Sequence, residues 1–409
     1  MVSAPLFSHT DWGGYLKTAQ ALQALGHQVI WVSGESLRPP VTAAGIPFAA
    51  VAQTGWLWPP PPVPDLTQMP PQAAVMLRYS RALDTWLSED LVGDATQALI
   101  DLAKEIGAPD VLVTDPFLSA AALSAEALGV PLAVCGWLAQ RELNEDGLFP
   151  VQKSLAHESL GRVQRLLARF GLKGVNFSQG VTPSVQSPQL HLCYFTASWY
   201  QAEAGNTLPQ TRFVGGSPTP STAPLPGWLT EIPPDAPLAL ITLGTTFTGD
   251  LGFYSWAAQA AARGGYTPLV VIGWNPITPA DKQMLLRSLP GGARLLNFVP
   301  FDQVLPRVRL MLHHGGMGTT HAAVIHGIPQ IVVPHAADQR GQARRVAQSK
   351  VGLNLSAHDV RQGMLTTAVQ AIAKDAAVHA NAQRLAAEME ALGGAESAAA
   401  LLSALGNKV

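Results

Sequence analysis

Residues 313–339 read HHGGMGTTHAAVIHGIPQIVVPHAADQ and concentrate groups able to hold an anion. His313 and His314 end the apolar run LMLHH, and Gly315, Gly316 and Gly318 allow the backbone to turn tightly and approach a ligand. THAAVIHG then continues as a short helix, stopped by Gly327 with Pro329 close behind. A helix that starts this way presents unpaired N–H groups and the positive end of its dipole, which together favour a phosphate. Thr319 or Thr320 could cap the helix and offer a hydroxyl, and His314 could add a proton donor or a positive charge. A glycine-rich strand-to-helix turn beside a core histidine would produce the same letters. The stretch goes on, however, through the buried-strand pattern QIVVP to His335, Asp338 and Gln339, all able to bind.

The elements that must position these groups follow from hydropathy. Strand-like apolar runs alternate with helical periods, the pattern of parallel sheets covered by helices on both faces. VSAPLF, a helix from about Gly14 to Leu25 stopped by Gly26, and HQVIWVS make a first βαβ unit. DVLVTD (110–115), a helix ending at Gly129 and VPLAVCGW (130–137) continue it. Residues 205–237 are too rich in Pro, Gly, Ser and Thr for regular structure and read as a linker. A second series runs through LALITLG (238–244), TPLVVIGW (267–274), ARLLNFVP (293–300), RLMLHHGG (309–316) and QIVVP (330–334). The expected fold is α/β: two Rossmann-like doubly wound domains facing a cleft, with boundaries 1–215, linker 216–236 and 237–409. A return of the last helix to the first domain is left open. In such sheets ligands bind beyond the carboxyl ends of the strands, where HHGG falls.

Composition limits the partners. A chain of 409 residues exceeds what one core usually supports, and 26 basic against 28 acidic residues create no field for nucleic acid or an anionic membrane. Charged residues make up 13% and hydrophobic ones 47%, yet no apolar run reaches the roughly 18–20 residues of a membrane span. Cys135 and Cys193 sit in apolar settings and read as core thiols of a reducing compartment, and the N-terminus shows no export signal. A soluble, cytoplasmic protein with small or apolar partners is expected. There is no D-x-D and no zinc-spaced Cys/His cluster, so the expected site has neither metal nor resident cofactor. Without G-x-S-x-G, a Walker A loop or a full G-x-G-x-x-G, the hydrolase, P-loop and dinucleotide oxidoreductase readings lose support.

HHGGMGTT followed by GIPQIVVP, ADQ and ARRV resembles the nucleotide-sugar signature of the GT-B glycosyltransferases of family 1. The resemblance spans nearly the whole chain, through GGYLKTAQALQALGHQVIWVS, TAAGIPFAAV, VLVTDPFLSAAALSAEALGVPLAV, FVGG, LALITLGTTF and FVPFDQVLP in the family's order. It implies that His314 with the amides of Gly316, Met317, Gly318 and Thr319 holds the diphosphate of a UDP- or dTDP-sugar co-substrate. By the same resemblance, Gly244 leads into Thr245 or Thr246, which touch the phosphates from across the site. Phe298 flanks the base where a tryptophan is common, the Val299 backbone reads the base edge, and Asp338 and Gln339 bind the sugar hydroxyls. Two positions depart from the family: Ala322 replaces a ribose-binding glutamate and Phe301 a glutamine near the base. This form looks more like the bacterial glycopeptide and sterol branch.

Inverting transfer also needs a base for the acceptor hydroxyl. Asp11, in SHTDWGG, falls where many members carry the catalytic histidine, and His9 is the rival, with a near-neutral pKa better suited to the task. Asp115 matches the family's acidic partner of the base. Asp11 could instead cap the following helix, and Asp115 could serve only its loop. Trp12, Trp56 and Trp137 are the acceptor candidates, with rim packing as the alternative. The implied acceptor is an apolar molecule or lipid bearing a hydroxyl. Two readings compete: a nucleotide-sugar epimerase of the same fold, and a catalytically idle binding or activator subunit. Peripheral membrane contact and the choice of monomer or homodimer stay open.

Overall fold

The computed structural model describes residues 1–6, 14–59, 61, 64, 69–141, 150–180, 183–244, 251–273, 277–335 and 338–407. The chain forms two compact units, and the division is not a single cut at a linker. Met1–Tyr194, Gln201–Val214 and Gly394–Val409 make the first unit; Phe195–Tyr200 and Gly215–Gly393 make the second. Burial explains both exchanges. Phe195, Trp199 and Tyr200 are almost fully buried, with the Trp199 indole N–H donating to Gln342 Oε1 of the second unit at 3.1 Å. The last helix, Gly394–Gly406, buries Ala398, Ala399 and Leu402, packs on the helix Tyr15–Ala24 and ties Ser403 to His27 at 2.9 Å.

The first unit contains β1 (Trp31–Ser33) paired with β2 (Phe48–Ala50), and the row β3 (Leu112–Thr114), β4 (Leu132–Cys135), β5 (Leu190–Cys193), β6 (Thr211–Phe213), all parallel. Val2 bridges both Val32 and Thr114, so the first apolar run contributes one bridging residue rather than a full strand, and it joins the two rows. β3, β4 and β5 are buried along their whole length, as strands covered on both faces must be. β6 lies inside the stretch expected to be irregular. Three residues at a sheet edge, only one of them buried, carry too little hydrophobic pattern to stand out among prolines. The helix Tyr15–Ala24 starts at Gly14, where a Cβ would come within 2.9 Å of the Tyr194 ring. Gly14 is thus the N-cap residue of this helix, and it supplies no side-chain cap.

The second unit orders its strands β12-β11-β10-β7-β8-β9, again all parallel: β7 (Leu238–Thr242), β8 (Thr267–Val271), β9 (Arg294–Leu296), β10 (Val308–His313), β11 (Gln330–Val332) and β12 (Gly352–Asn354). Alternate residues feed two cores: Ala239, Ile241, Leu310 and Leu312 on one face, Leu238, Leu240, Val308 and Met311 on the other. Helices on both faces make this unit, like the first, doubly wound. No helix among the described residues is long and apolar enough to cross a membrane. Cys135 and Cys193 are buried and form no disulfide.

The register of β12 on β11 depends on a missing side chain. A Cβ at Gly352 would lie 1.8 Å from the Gln330 carbonyl oxygen, whereas one at Gly227 would meet nothing within 4 Å. Gly352→Ala should therefore cost about 1–3 kcal/mol of stability and Gly227→Ala less than about 0.5 kcal/mol. Denaturant unfolding of the two variants checks this; equal midpoints would mean that β12 can shift without cost.

Candidate active site

The second sheet starts at its centre with β7, runs out to β9, and resumes on the other side with β10. The loops after β7 and β10 therefore leave in opposite directions at a topological switch point. His313 is in register with Thr242, so His314 and Gly244 come just beyond adjacent strand ends. A Cβ at Gly244 would lie 2.8 Å from His314 Cε1, and one at Gly316 would lie 2.4 Å from His314 Nε2. The imidazole thus fills the space that two glycines leave. At Gly315 φ is +90° and a Cβ would meet Val332 at 2.8 Å, so this turn needs glycine both for its backbone and for its close approach.

The helix Met317–Ile325 has Gly316 as N-cap and no side-chain cap. This corrects the expectation for the two threonines: neither Thr319 nor Thr320 caps it, and Thr320 is fully buried within the helix, its N–H returning to Gly316 O at 2.9 Å. The N–H groups of Met317, Gly318 and Thr319 have no partner inside the helix and stand at its positive end.

Both histidines of the loop are buried and neutral. Gly315 N–H donates to His313 Nδ1 at 3.1 Å, so the ring proton is on Nε2, which donates to Gln330 Oε1 at 2.9 Å. Burial lowers the His313 pKa to about 4 against that bond. Burial, then the charges of His313 and His335, lower His314 to about 3; the Thr242 backbone opposes the shift. His314 Nδ1 is buried and makes no hydrogen bond of ordinary geometry, so the Thr242 backbone offsets the shift only weakly.

Around this centre, Asp338 is the N-cap residue of the helix Gln339–Gln348 but makes no capping bond, and Gln339 Oε1 accepts the His335 N–H at 2.9 Å. Val299 is fully buried in the core that also packs Phe301 and Ala322, whereas Phe298 is 55% exposed. Gln330 and Gln342 escaped the sequence reading. A glutamine inside the apolar run IPQIVVP was the available signal for the first; none pointed to the second.

The first unit has its own switch point, between Val2 and β3, and Asp115 sits there fully buried. Its Oδ1 accepts the Phe117 N–H at 2.8 Å and its Oδ2 the Ala4 N–H at 3.4 Å. The Phe117 ring meets Trp56 edge-on at 6.1 Å and Trp137 at 6.2 Å. Asp115, Trp56 and Trp137 are thereby brought together through a phenylalanine that sequence reasoning did not select. His9, Asp11, Trp12, Thr245 and Thr246 lie outside the described residues.

Comparison with known proteins bears on the family and the fold. Residues 276–404 match the family described as erythromycin biosynthesis protein CIII-like, C-terminal domain. The elloramycin glycosyltransferase ElmGT of Streptomyces olivaceus is 31% identical over 74% of this chain and 71% of its own. The chain belongs to the GT-B glycosyltransferases of family 1. The NDP-glycosyltransferase YjiC of Bacillus subtilis is 27% identical to this glycosyltransferase over all of it and 97% of its own length. The spinosyn rhamnosyltransferase SpnG, solved with thymidine diphosphate, shares the fold at a TM-score of 0.67 and 23% identity, covering 99% of this chain and 98% of its own. SpnG has also been solved with spinosyn aglycone.

The loop histidines link the fold of this glycosyltransferase to pH. An unfolded histidine takes up its proton near pH 6.5, but the folded protein refuses it at His313 until about pH 4 and at His314 until about pH 3. Their contribution to stability is complete above about pH 6.5 and is lost as pH falls through that window. His314→Gln should remove about one proton from the uptake that accompanies unfolding at pH 5. Unfolding free energies measured between pH 7 and 4 would refute this if wild type and variant ran parallel.

Proposed function

We propose that this glycosyltransferase moves the sugar of a UDP- or dTDP-sugar to a hydroxyl of an apolar small molecule or lipid, with inversion at the anomeric carbon and without a metal ion. The observation that carries the reading is His314 between Gly244 and Gly316, at the start of an uncapped helix and at the switch point of the second sheet. In this reading the N–H groups of Met317, Gly318 and Thr319 and an N–H of His314 take the diphosphate, with Thr245 or Thr246 after Gly244 adding to them. Phe298, more than half exposed, offers its ring to the base, the Val299 backbone reads the base edge, and Asp338 and Gln339 bind the sugar. Unpaired donors of this kind suit a leaving group that gains charge: their hydrogen bonds strengthen as the bond to the anomeric carbon breaks. The imidazole enters neutral, and the incoming negative charge works against the burial that depresses its pKa.

On the acceptor side, the hydroxyl oxygen attacks the anomeric carbon, the diphosphate leaves with the bonding pair, and the hydroxyl proton goes to Asp11 or His9. Asp115, held by two backbone amides, orients the base. The Trp56–Phe117–Trp137 cluster supports an apolar acceptor, and a relative named for elloramycin supports a small-molecule one. Two buried cysteines without a disulfide support a reducing, cytoplasmic setting. Mass-spectrometric screening of the purified protein with UDP- and dTDP-sugars against mixed hydrophobic alcohols tests the whole reading. A glycoside product is expected; a new nucleotide sugar formed without acceptor would make it an epimerase.

His314→Ala should weaken thymidine or uridine diphosphate binding and lower turnover by roughly 10²–10³-fold while the protein stays folded; calorimetry showing unchanged affinity would remove His314 from the site. Asp11→Asn should lower turnover by roughly 10²–10⁴-fold with little change in donor affinity, and His9→Ala should cost much less. The reverse order would make His9 the base, and Asp115→Asn would then be equally damaging through a mispositioned imidazole. Near-normal rates in both single variants would take this loop out of the chemistry.

A further inference from the structure

The side chain of Gln342 is fully buried in the helix Gln339–Gln348, and both ends of its amide are engaged. An indole N–H can only donate, so the Trp199 N–H at 3.1 Å fixes the amide oxygen on that side. The amide nitrogen must then face Met317, whose thioether sulfur accepts at 3.2 Å. Met317 is the first residue of the helix whose uncapped end faces the switch point. One turn later in the same helix, His321 meets the Phe195 ring edge-on at 5.3 Å, and Phe195 stacks on Trp199 at 5.3 Å with their planes 13° apart. Gln342 thus joins three pieces distant in sequence: the helix that opens with Gln339, the helix that opens with Met317, and the aromatic segment Phe195–Tyr200.

We infer that Gln342 is a positioning residue for diphosphate recognition, fixing Met317 so that the first N–H groups of its helix point at the phosphate farther from the nucleoside. The inference rests on the donor-site reading above. A thioether is a weak acceptor that a core does not need to satisfy, so hydrophobic packing alone would favour a leucine or methionine at position 342 over an amide. The amide's burial is balanced only if both of its ends are used, and using both sets the distance between the two helices and the Trp199 indole.

The test uses the full chain with thymidine diphosphate against thymidine monophosphate, and the uridine pair in parallel, by titration calorimetry. Gln342→Leu keeps the volume and removes both bonds. Trp199→Phe keeps an aromatic ring in the stack and removes one donor, so it decides the matter even where the first variant fails to fold. Either variant should lose about tenfold of the preference for diphosphate over monophosphate, a factor equivalent to one hydrogen bond. The donor KM should rise in parallel, while the acceptor KM stays unchanged. A merely structural role would weaken both nucleotides alike or move the acceptor KM, and either result overturns the inference. So does a wild-type preference retained in Trp199→Phe. A wild-type protein with no preference for the diphosphate would instead bring down the donor-site reading, and this inference with it.

Discussion

A parallel sheet whose first strand lies at its centre cannot be laid down in one sweep. The chain must run to one edge, cross back and continue on the other side, and the two loops at the turning point diverge to leave a gap beyond the strand ends. Both units are built under this constraint. In the second, the gap between β7 and β10 receives His314 and the glycines that flank it; in the first, the gap beside Val2 and β3 receives Asp115. The candidate chemistry therefore stands where backbone topology alone leaves room for it, and the cores on the sheet faces hold those strand ends in register.

Holding that room open costs stability. Two adjacent histidines are kept neutral in the interior, His314 Nδ1 is left without a hydrogen bond of ordinary geometry, and so is Gln330 Nε2 although its oxygen is used. Each buried polar atom left in this way costs about 1–3 kcal/mol. A fold selected for stability alone would fill Gly316 with a side chain and replace the histidines with aliphatic residues. The apolar strands on either side, buried on both faces, offset the cost. Polar groups left without protein partners at a strand–helix junction are what an incoming anion would satisfy.

Much of this was legible in the letters. The alternation of strand and helix periods fixes two doubly wound units because parallel strands buried on both faces are long apolar words, and LALIT, LVV and LMLH are such words. HHGG marks the candidate ligand loop because only glycine permits so close a backbone approach. What the sequence could not express is non-local. β6 and β12 are three-residue edge strands whose pairing comes from their neighbours rather than from their own pattern. Gly316 displaced the threonines as cap because a helix can begin wherever the turn before it ends. Phe117 acquires its place from Trp56 and Trp137, and Gln342 from Trp199, partners that no local spacing reveals.

The chain leaves the first unit after Tyr194, returns after Tyr200, leaves again after Val214 and comes home after Gly393. Made from its N-terminus, it presents Trp199 to the solvent 143 residues before Gln342 exists to receive the indole. The first unit, its sheet complete at Phe213, waits still longer for the helix Gly394–Gly406, until all of the second unit's sequence has been translated. At roughly 5–20 residues per second the delay is on the order of ten seconds, far longer than the time a helix needs to form. Throughout it, the Phe195–Tyr200 aromatics and the face of the helix Tyr15–Ala24 that receives the last helix stay uncovered. The lifetime of that exposed apolar surface is set by the ribosome rather than by the folding rate, and the nascent chain is for that interval a natural client for chaperones.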